Sequence, residues 1–238
     1  MASDARRYRG QDAAQRHADR RARLLEAGLE LFGTAGYAAV TVKQICQAAG
    51  LTERYFYQSF TDREDLLTSV FTEQVEALKQ ATLTALATAE PTIESQAAAG
   101  IGTFVRFVAA DHRRARVIFI EVVGISPTLE HRRRDVTRDF AGVIAALATH
   151  HLGVEGGPLL QVGTMFFAGG LAELIEDWLV DDHPADLDTL IYVVVILLTT
   201  AFDVLRAELN APDVARKARI TAGGLPTAAY DVSAEGAG

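Results

Sequence analysis

A single cysteine, Cys46, stands in the 238-residue chain, so neither an intrachain disulfide nor a thiolate zinc cage can form. Long apolar runs are missing as well. No segment reaches the roughly 18–20 consecutive apolar residues of a membrane-spanning helix, because the longest candidate, 190–202, is interrupted by Thr199 and Thr200 and bounded by Asp188 and Asp203. The Arg-rich start lacks the apolar stretch of a secretory leader. Signatures of chemistry are equally scarce. There is no Gly-rich phosphate loop, no G-x-S-x-G elbow, and no HExxH or paired-His metal spacing. Convincing strand alternation is absent too. These gaps set the expectation of a cytoplasmic, all-α protein without catalytic residues, metal ligands or cofactor. An enzymatic or lipid-binding role invisible in motifs is the alternative.

What the chain does have is 49% hydrophobic residues, enough to bury a sizeable core, and an uneven charge. The net charge is −8. Residues 1–60 carry nine basic side chains against six acidic ones, a local +3 that leaves −11 for the remainder. A basic head on an acidic body suggests that only the head approaches a polyanion. Arg6, Arg7, Arg9 and Arg16 fall before residue 20, where no apolar period exists, so 1–19 reads as a flexible basic arm suited to a narrow minor groove.

Helix signals then follow in close order. Residues 20–35 hold Leu24, Leu25, Leu29, Leu31 and Phe32 at helical spacing and stop at Gly36. Thr41 and Gln44 form a capping box, with Val40 and Ile45 as a hydrophobic staple, and Gly50 ends that short helix. Thr52 caps the next helix, expected over 52–59, and Thr61-Asp62-Arg63-Glu64 starts a third with another capping box. Two short helices joined at Gly50-Leu51 have the helix-turn-helix layout. On the second, Phe56 turns inward, with Phe60 buried beyond it. That leaves Glu53, Arg54, Tyr55, Tyr57, Gln58 and Ser59 outward, a face rich in groups that take base edges and phosphates.

The stretches from Ala27 to Tyr37, Val40 to Ile45, Ala48 to Thr52 and Phe56 to Leu67 resemble the DNA-binding domain of the TetR family of transcriptional regulators. The resemblance implies an N-terminal three-helix helix-turn-helix domain at 20–67 and a larger helical ligand-binding and dimerisation domain at 68–210. It also implies a homodimer, most often a repressor, released from a double-stranded operator by a small molecule. Carried across position by position, Thr41 meets a phosphate, Thr52, Arg54 and Tyr55 face bases, and Tyr57 contacts the backbone. Lys43, Glu53 and Gln58 belong to the same surface, and Arg63 stands where the family commonly has Lys. Arg54 and Glu53 depart from the family's usual small and basic residues. For Glu53 the helix N-terminus is the expected partner.

Beyond residue 62 the pattern gives a long fourth helix ending before Glu90-Pro91. Further helices are expected over 92–111, 113–123, 129–151, 159–181 and 186–210, with a loosely ordered tail at 211–238. The last two helices are the most apolar and need covering on every side, which assigns 159–181 and 186–210 to a dimer interface. Gly169-Gly170 fits either close helix approach or a kink. Two-fold symmetry would space the recognition helices by about one DNA turn, ~34–36 Å. Candidate pocket residues are Phe104, Phe107, Val108, Phe119, Met165 and Phe166, together with Glu121, a carboxylate inside an apolar run. Pairing of Glu121 with Arg106 or Arg116 is expected ahead of ligand binding. His150 and His151 read as surface residues, and Arg132-Arg133-Arg134 as a solvated face.

Overall fold

The computed structural model describes the backbone of residues 2–153, 157–180 and 186–209, and the side chains of 13–153, 157–179 and 186–207. Among the described residues all regular structure is helical, in nine α-helices and one 3-10 turn. The chain divides into two compact units, Met1–Thr199 and Thr200–Gly238. The described part of the second is the end of the last helix, and the expected tail lies outside the described residues.

The first helix, α1 (Ala2–Ala35), starts far earlier than apolar periodicity indicates. Residues 2–19 are helical and not an irregular arm. Alanine, arginine and glutamine hold a helix without any apolar face, helped by a Gln15 Nε2 to Asp19 Oδ1 hydrogen bond of 3.1 Å. Leu24, Ala27, Leu29 and Phe32 then turn into the core. After the 3-10 turn at Tyr37–Ala39 come α2 (Val42–Ala49) and α3 (Glu53–Phe56). The long α4 (Arg63–Thr88) spans about 39 Å at the standard rise. It buries Leu66, Leu67 and Val70 near its start and Phe71, Val75 and Leu78 farther along.

The body continues with α5 (Ile93–Ala109), α6 (His112–Phe119), α7 (Pro127–Leu152), α8 (Pro158–Val180) and α9 (Leu187–Leu209). Their starts follow local chemistry. Thr92, Asp111 and Ser126 accept from backbone N–H groups as N-caps, and Pro127 sits in the first turn of α7. The 113–123 helix is shorter than its sequence pattern, breaking into a turn after Phe119.

The two apolar helices need a correction. By length and mean hydropathy, Pro158–Leu179 (1.4) and Leu187–Ala207 (2.0) are each long and apolar enough to cross a membrane, and 22% of each is buried. Counting uninterrupted apolar residues hid this, because scattered threonines and glycines scarcely lower a mean. Val162 and Phe166 on α8 are 70% and 74% exposed, and Tyr192 on α9 is 66% exposed. A side chain built at Gly169 or Gly170 would meet nothing within 4 Å, so neither glycine serves a close approach within the described chain.

Candidate nucleic-acid interface and effector cavity

The turn between α2 and α3 is built as the residues dictate. Gln44 N donates to Thr41 Oγ1 at 3.3 Å and Thr41 N donates to Gln44 Oε1 at 2.8 Å, completing the capping box. At the other end Gly50 adopts a left-handed φ of 61°, which a side chain disfavours. Its neighbour Leu51 donates to Cys46 O at 2.8 Å. The guanidinium of Arg23 reaches from α1 to the carbonyls of Ala49 and Gly50, the latter at 3.2 Å. Val40, Ile45, Phe56 and Phe60 are buried, as their pattern required.

The second helix is shorter than the 52–59 expected. α3 proper closes at Phe56 and residues 57–59 continue as a turn, with Tyr57 N donating to Glu53 O at 3.0 Å. Thr52 occupies the N-cap backbone position, but its side chain makes no capping hydrogen bond. The third start is shifted by one residue. Asp62 is the N-cap, accepting from Asp65 N at 2.9 Å, while Asp65 reaches back to Thr61 N at 2.9 Å. A carboxylate at 62 outcompetes the Thr61 hydroxyl for the cap.

Of the residues assigned to DNA, Lys43, Thr52, Glu53, Arg54, Tyr57 and Gln58 are exposed, Tyr57 to 59%. Two others are held inside the head. Tyr55 is half-buried with the Arg20 guanidinium 4.6 Å over its ring. Arg63 lies 4.8 Å over the Tyr37 ring and donates to the carbonyls of Tyr37 (3.1 Å) and Val40. The Thr41 hydroxyl is likewise engaged in its cap. Basic side chains on α1 also serve the head itself. Arg21 lies 4.5 Å over Phe60, so part of the basic surplus read as a polyanion signal is scaffold. His17 Nε2 is 3.4 Å from Gln58 O, which sets the N-terminal extension beside the exposed face.

Where α1 ends, α6 docks against it. Glu121 lies just after α6, and its carboxylate is one-tenth exposed. It accepts from Arg116 Nε at 2.7 Å and from Tyr37 N at 2.6 Å. Arg116 also donates to Thr34 O at 3.2 Å. Glu121 is therefore a junction residue, paired as the first of the two sequence readings had it, and it does not line the cavity. Arg106 instead meets Asp188 at 3.0 Å. Arg113 pairs with Asp111 and Glu30, both at 2.8 Å. Hydrogen bonding from Arg113 holds the Asp111 carboxyl below its usual range. A depressed carboxylate stabilises the fold above the ordinary aspartate range, and that contribution is lost as pH falls through its lowered value.

A cavity of about 460 Å³ lies among α4, α5, α6, α7, α8 and α9. Phe104, Phe119 and Met165 line it, as expected from sequence. Phe107 does not; its ring sits 5.1 Å beneath the Arg114 guanidinium. Val108 is buried away from the lining. Phe166 points to the surface, and Phe167 takes the lining position. Sequence reasoning could not set that register, because the few polar residues of α8 are spread around the helix and mark no single face. It also missed Phe71, Leu78 and Phe140, with Phe140 edge-on to Phe104 at 5.2 Å.

The arginine run is solvated as expected, with Arg132 and Arg134 exposed, and it also reaches the cavity. Arg133 and Arg134 line one end of the cavity with Arg138, Glu173 and Glu176. Near the other end, His151 is half-buried and bonded to Gln96 Oε1 at 2.6 Å, and Gln96 belongs to the lining. From Arg133 to Leu147 the lining follows about 21 Å of α7. The chamber is thus elongated and apolar, with charge gathered at one end. No cluster of metal-ligating side chains occurs among the described residues.

Comparison with known proteins agrees with this architecture. Residues 24–70 match the model for bacterial regulatory proteins of the tetR family. The chain is 22% identical over 190 residues to the fatty acid metabolism regulator protein of Bacillus subtilis (74% of this chain, 92% of that one). It is 26% identical over 173 residues to the HTH-type transcriptional activator FasR of Mycolicibacterium smegmatis (72% and 77%). Among solved structures, the transcriptional regulator FadR from Bacillus subtilis in complex with stearoyl-CoA superposes with a TM-score of 0.66 at 21% identity, covering 74% of this chain and 96% of that one. These relatives are regulators and not enzymes. The chain thus carries a DNA-binding head matching the tetR family of bacterial regulatory proteins at residues 24–70, on a helical body of the fold that such transcriptional regulators share.

Proposed function

We propose that the chain is a homodimeric, cytoplasmic repressor that binds a pseudo-palindromic operator and is released by a long-chain acyl thioester of coenzyme A. The observation that carries this is one molecule holding both an exposed Arg54/Tyr57/Gln58 face and an elongated apolar cavity with charge at one end. The first suits a major groove. The second suits a ligand with a long apolar chain and a polar head, and the stearoyl-CoA bound by the Bacillus subtilis regulator supports that class.

The apolar faces of α8 and α9 supply the dimer contact. Val162, Phe166, Tyr192 and Leu197 are too exposed for a monomer in water, and a second copy covers them by symmetry. Coupling runs through α6. Ile118 and Phe119 line the cavity, while Glu121, next in line, grips Tyr37 at the edge of the head. A ligand that favours the α6 position incompatible with operator spacing lowers DNA affinity by its preference between the two states, and by no more.

Two outcomes check the DNA face. Arg54→Ala should weaken binding to duplex from upstream of the chain's own gene about tenfold to hundredfold in a gel shift, with the circular-dichroism melt unchanged. Wild-type affinity would remove α3 from the interface. Deleting residues 2–16, beside the same face, should flatten the dependence of log K on log[salt], since fewer phosphates are neutralised. An unchanged slope would leave the extension off the DNA.

A further inference from the structure

The charged end of the cavity holds more chemistry than an apolar chain requires. From α7 come Arg133, Arg134 and Arg138, and from α8 come Glu173 and Glu176. Two of the arginines are already matched, Arg133 to Glu130 at 3.4 Å and Arg138 to Asp135 at 2.6 Å. Among the described residues, Arg134, Glu173 and Glu176 form no ion pair. Arg133 acts on Glu176 and Arg134 on Glu130 through charge alone, so neither Glu173 nor Glu176 has a cation in contact. Three residues apart on one helix, the two glutamates share a face. Glu176 is half-buried. Loss of water pushes its carboxyl above the usual range, Glu173 adds to the push, and Arg133 opposes it.

We infer that Glu173 and Glu176 set the head-group selectivity of the cavity, admitting an acyl chain that ends in a neutral thioester or amide and turning away the same chain ending in a carboxylate. The inference rests on the reading of the cavity as an acyl-chain site. A chain buried to its full length leaves its head at the charged end. A carboxylate there stands against the half-buried Glu176 and the exposed Glu173 beside it, so it either loses affinity or binds a proton. A thioester carries no charge, and amide N–H groups along its linker can donate to the glutamates. The nucleotide phosphates then lie on the solvent side, where the exposed Arg134 meets them.

The test is displacement of Nile red from the full chain by dodecanoate, dodecanamide and dodecanoyl-CoA, with wild type beside the Glu173→Gln/Glu176→Gln double variant. Wild type should bind the amide at least about tenfold more tightly than the carboxylate, and the variant should bring the two within about twofold by gaining affinity for dodecanoate. An unchanged affinity for Nile red itself reports that the variant's cavity is intact. Equal affinities in wild type, or a preference that survives in the variant, would overturn the inference. The thioester is read separately. If dodecanoyl-CoA fails while the amide-to-carboxylate preference holds, the acyl-CoA reading falls and the selectivity stands. If none of the three displaces the dye, both fall.

Discussion

Gly33→Ala should lower the stability of the folded chain by about 2–3 kcal/mol, although alanine is the better helix former by about 1 kcal/mol. Gly33 lies on α1 where α6 docks. A Cβ there would stand 2.5 Å from Arg113 Cβ, 2.6 Å from Arg113 Cα and 2.8 Å from Arg113 O. These are backbone atoms or atoms fixed to the backbone, so no flexible chain end can swing aside. Relief requires the whole α1–α6 contact to open, which also strains the Arg113–Glu30 pair across it. Urea denaturation gives a sign as well as a size. A lower midpoint follows if the two helices pack as described, and a higher one would mean that Gly33 is an ordinary exposed helix position.

The second large effect concerns Glu121. In Glu121→Ala, Tyr37 N loses its acceptor and the Arg116 guanidinium keeps only part of its partners. Breaking a fully buried pair costs roughly 3–5 kcal/mol. Arg116 is 36% exposed and can turn to water, so about 2–3 kcal/mol is expected here. The functional consequence is more specific. Stearoyl-CoA should still bind within about threefold of wild type, because Glu121 is off the cavity wall, while its effect on operator affinity should shrink at least about tenfold. Equal responses in wild type and variant, measured by anisotropy titration of labelled operator, would remove the junction from the coupling route. Gly36 belongs to the same joint. Its φ of 86° and its position about 3.1–3.3 Å from the Arg116 and Glu121 side-chain atoms leave no room for a side chain.

Much of the fold was legible because short-range chemistry fixes helix ends. Thr41, Gly50, Thr92 and Ser126 each mark a boundary with a hydrogen bond that needs only near neighbours. Wherever the deciding partner is distant in sequence, reading fails. The Arg20–Tyr55 and Arg63–Tyr37 stacks engage two residues of the expected DNA face through side chains 26 to 35 positions away, which spacing within one helix does not show. In the cavity, Phe104 and Phe119 were found, but the polar residues of α8 are scattered around it and do not set its phase, so Phe166 and Phe167 were exchanged. The arginine run is solvated, as its polar helix indicates, but only the α7–α8 packing brings Arg133 and Arg134 to the chamber's mouth. The helical extension before residue 20 escaped notice because it is held by propensity without burial.

The central claim is that the exposed α3 face and the cavity belong to one switch. Fluorescence anisotropy of the full chain on labelled duplex from upstream of its own gene, with and without saturating stearoyl-CoA, tests it most directly. The account predicts sequence-specific binding that the thioester weakens by at least about tenfold, a coupling of roughly 1.4 kcal/mol. Tight thioester binding with no change in DNA affinity would contradict it.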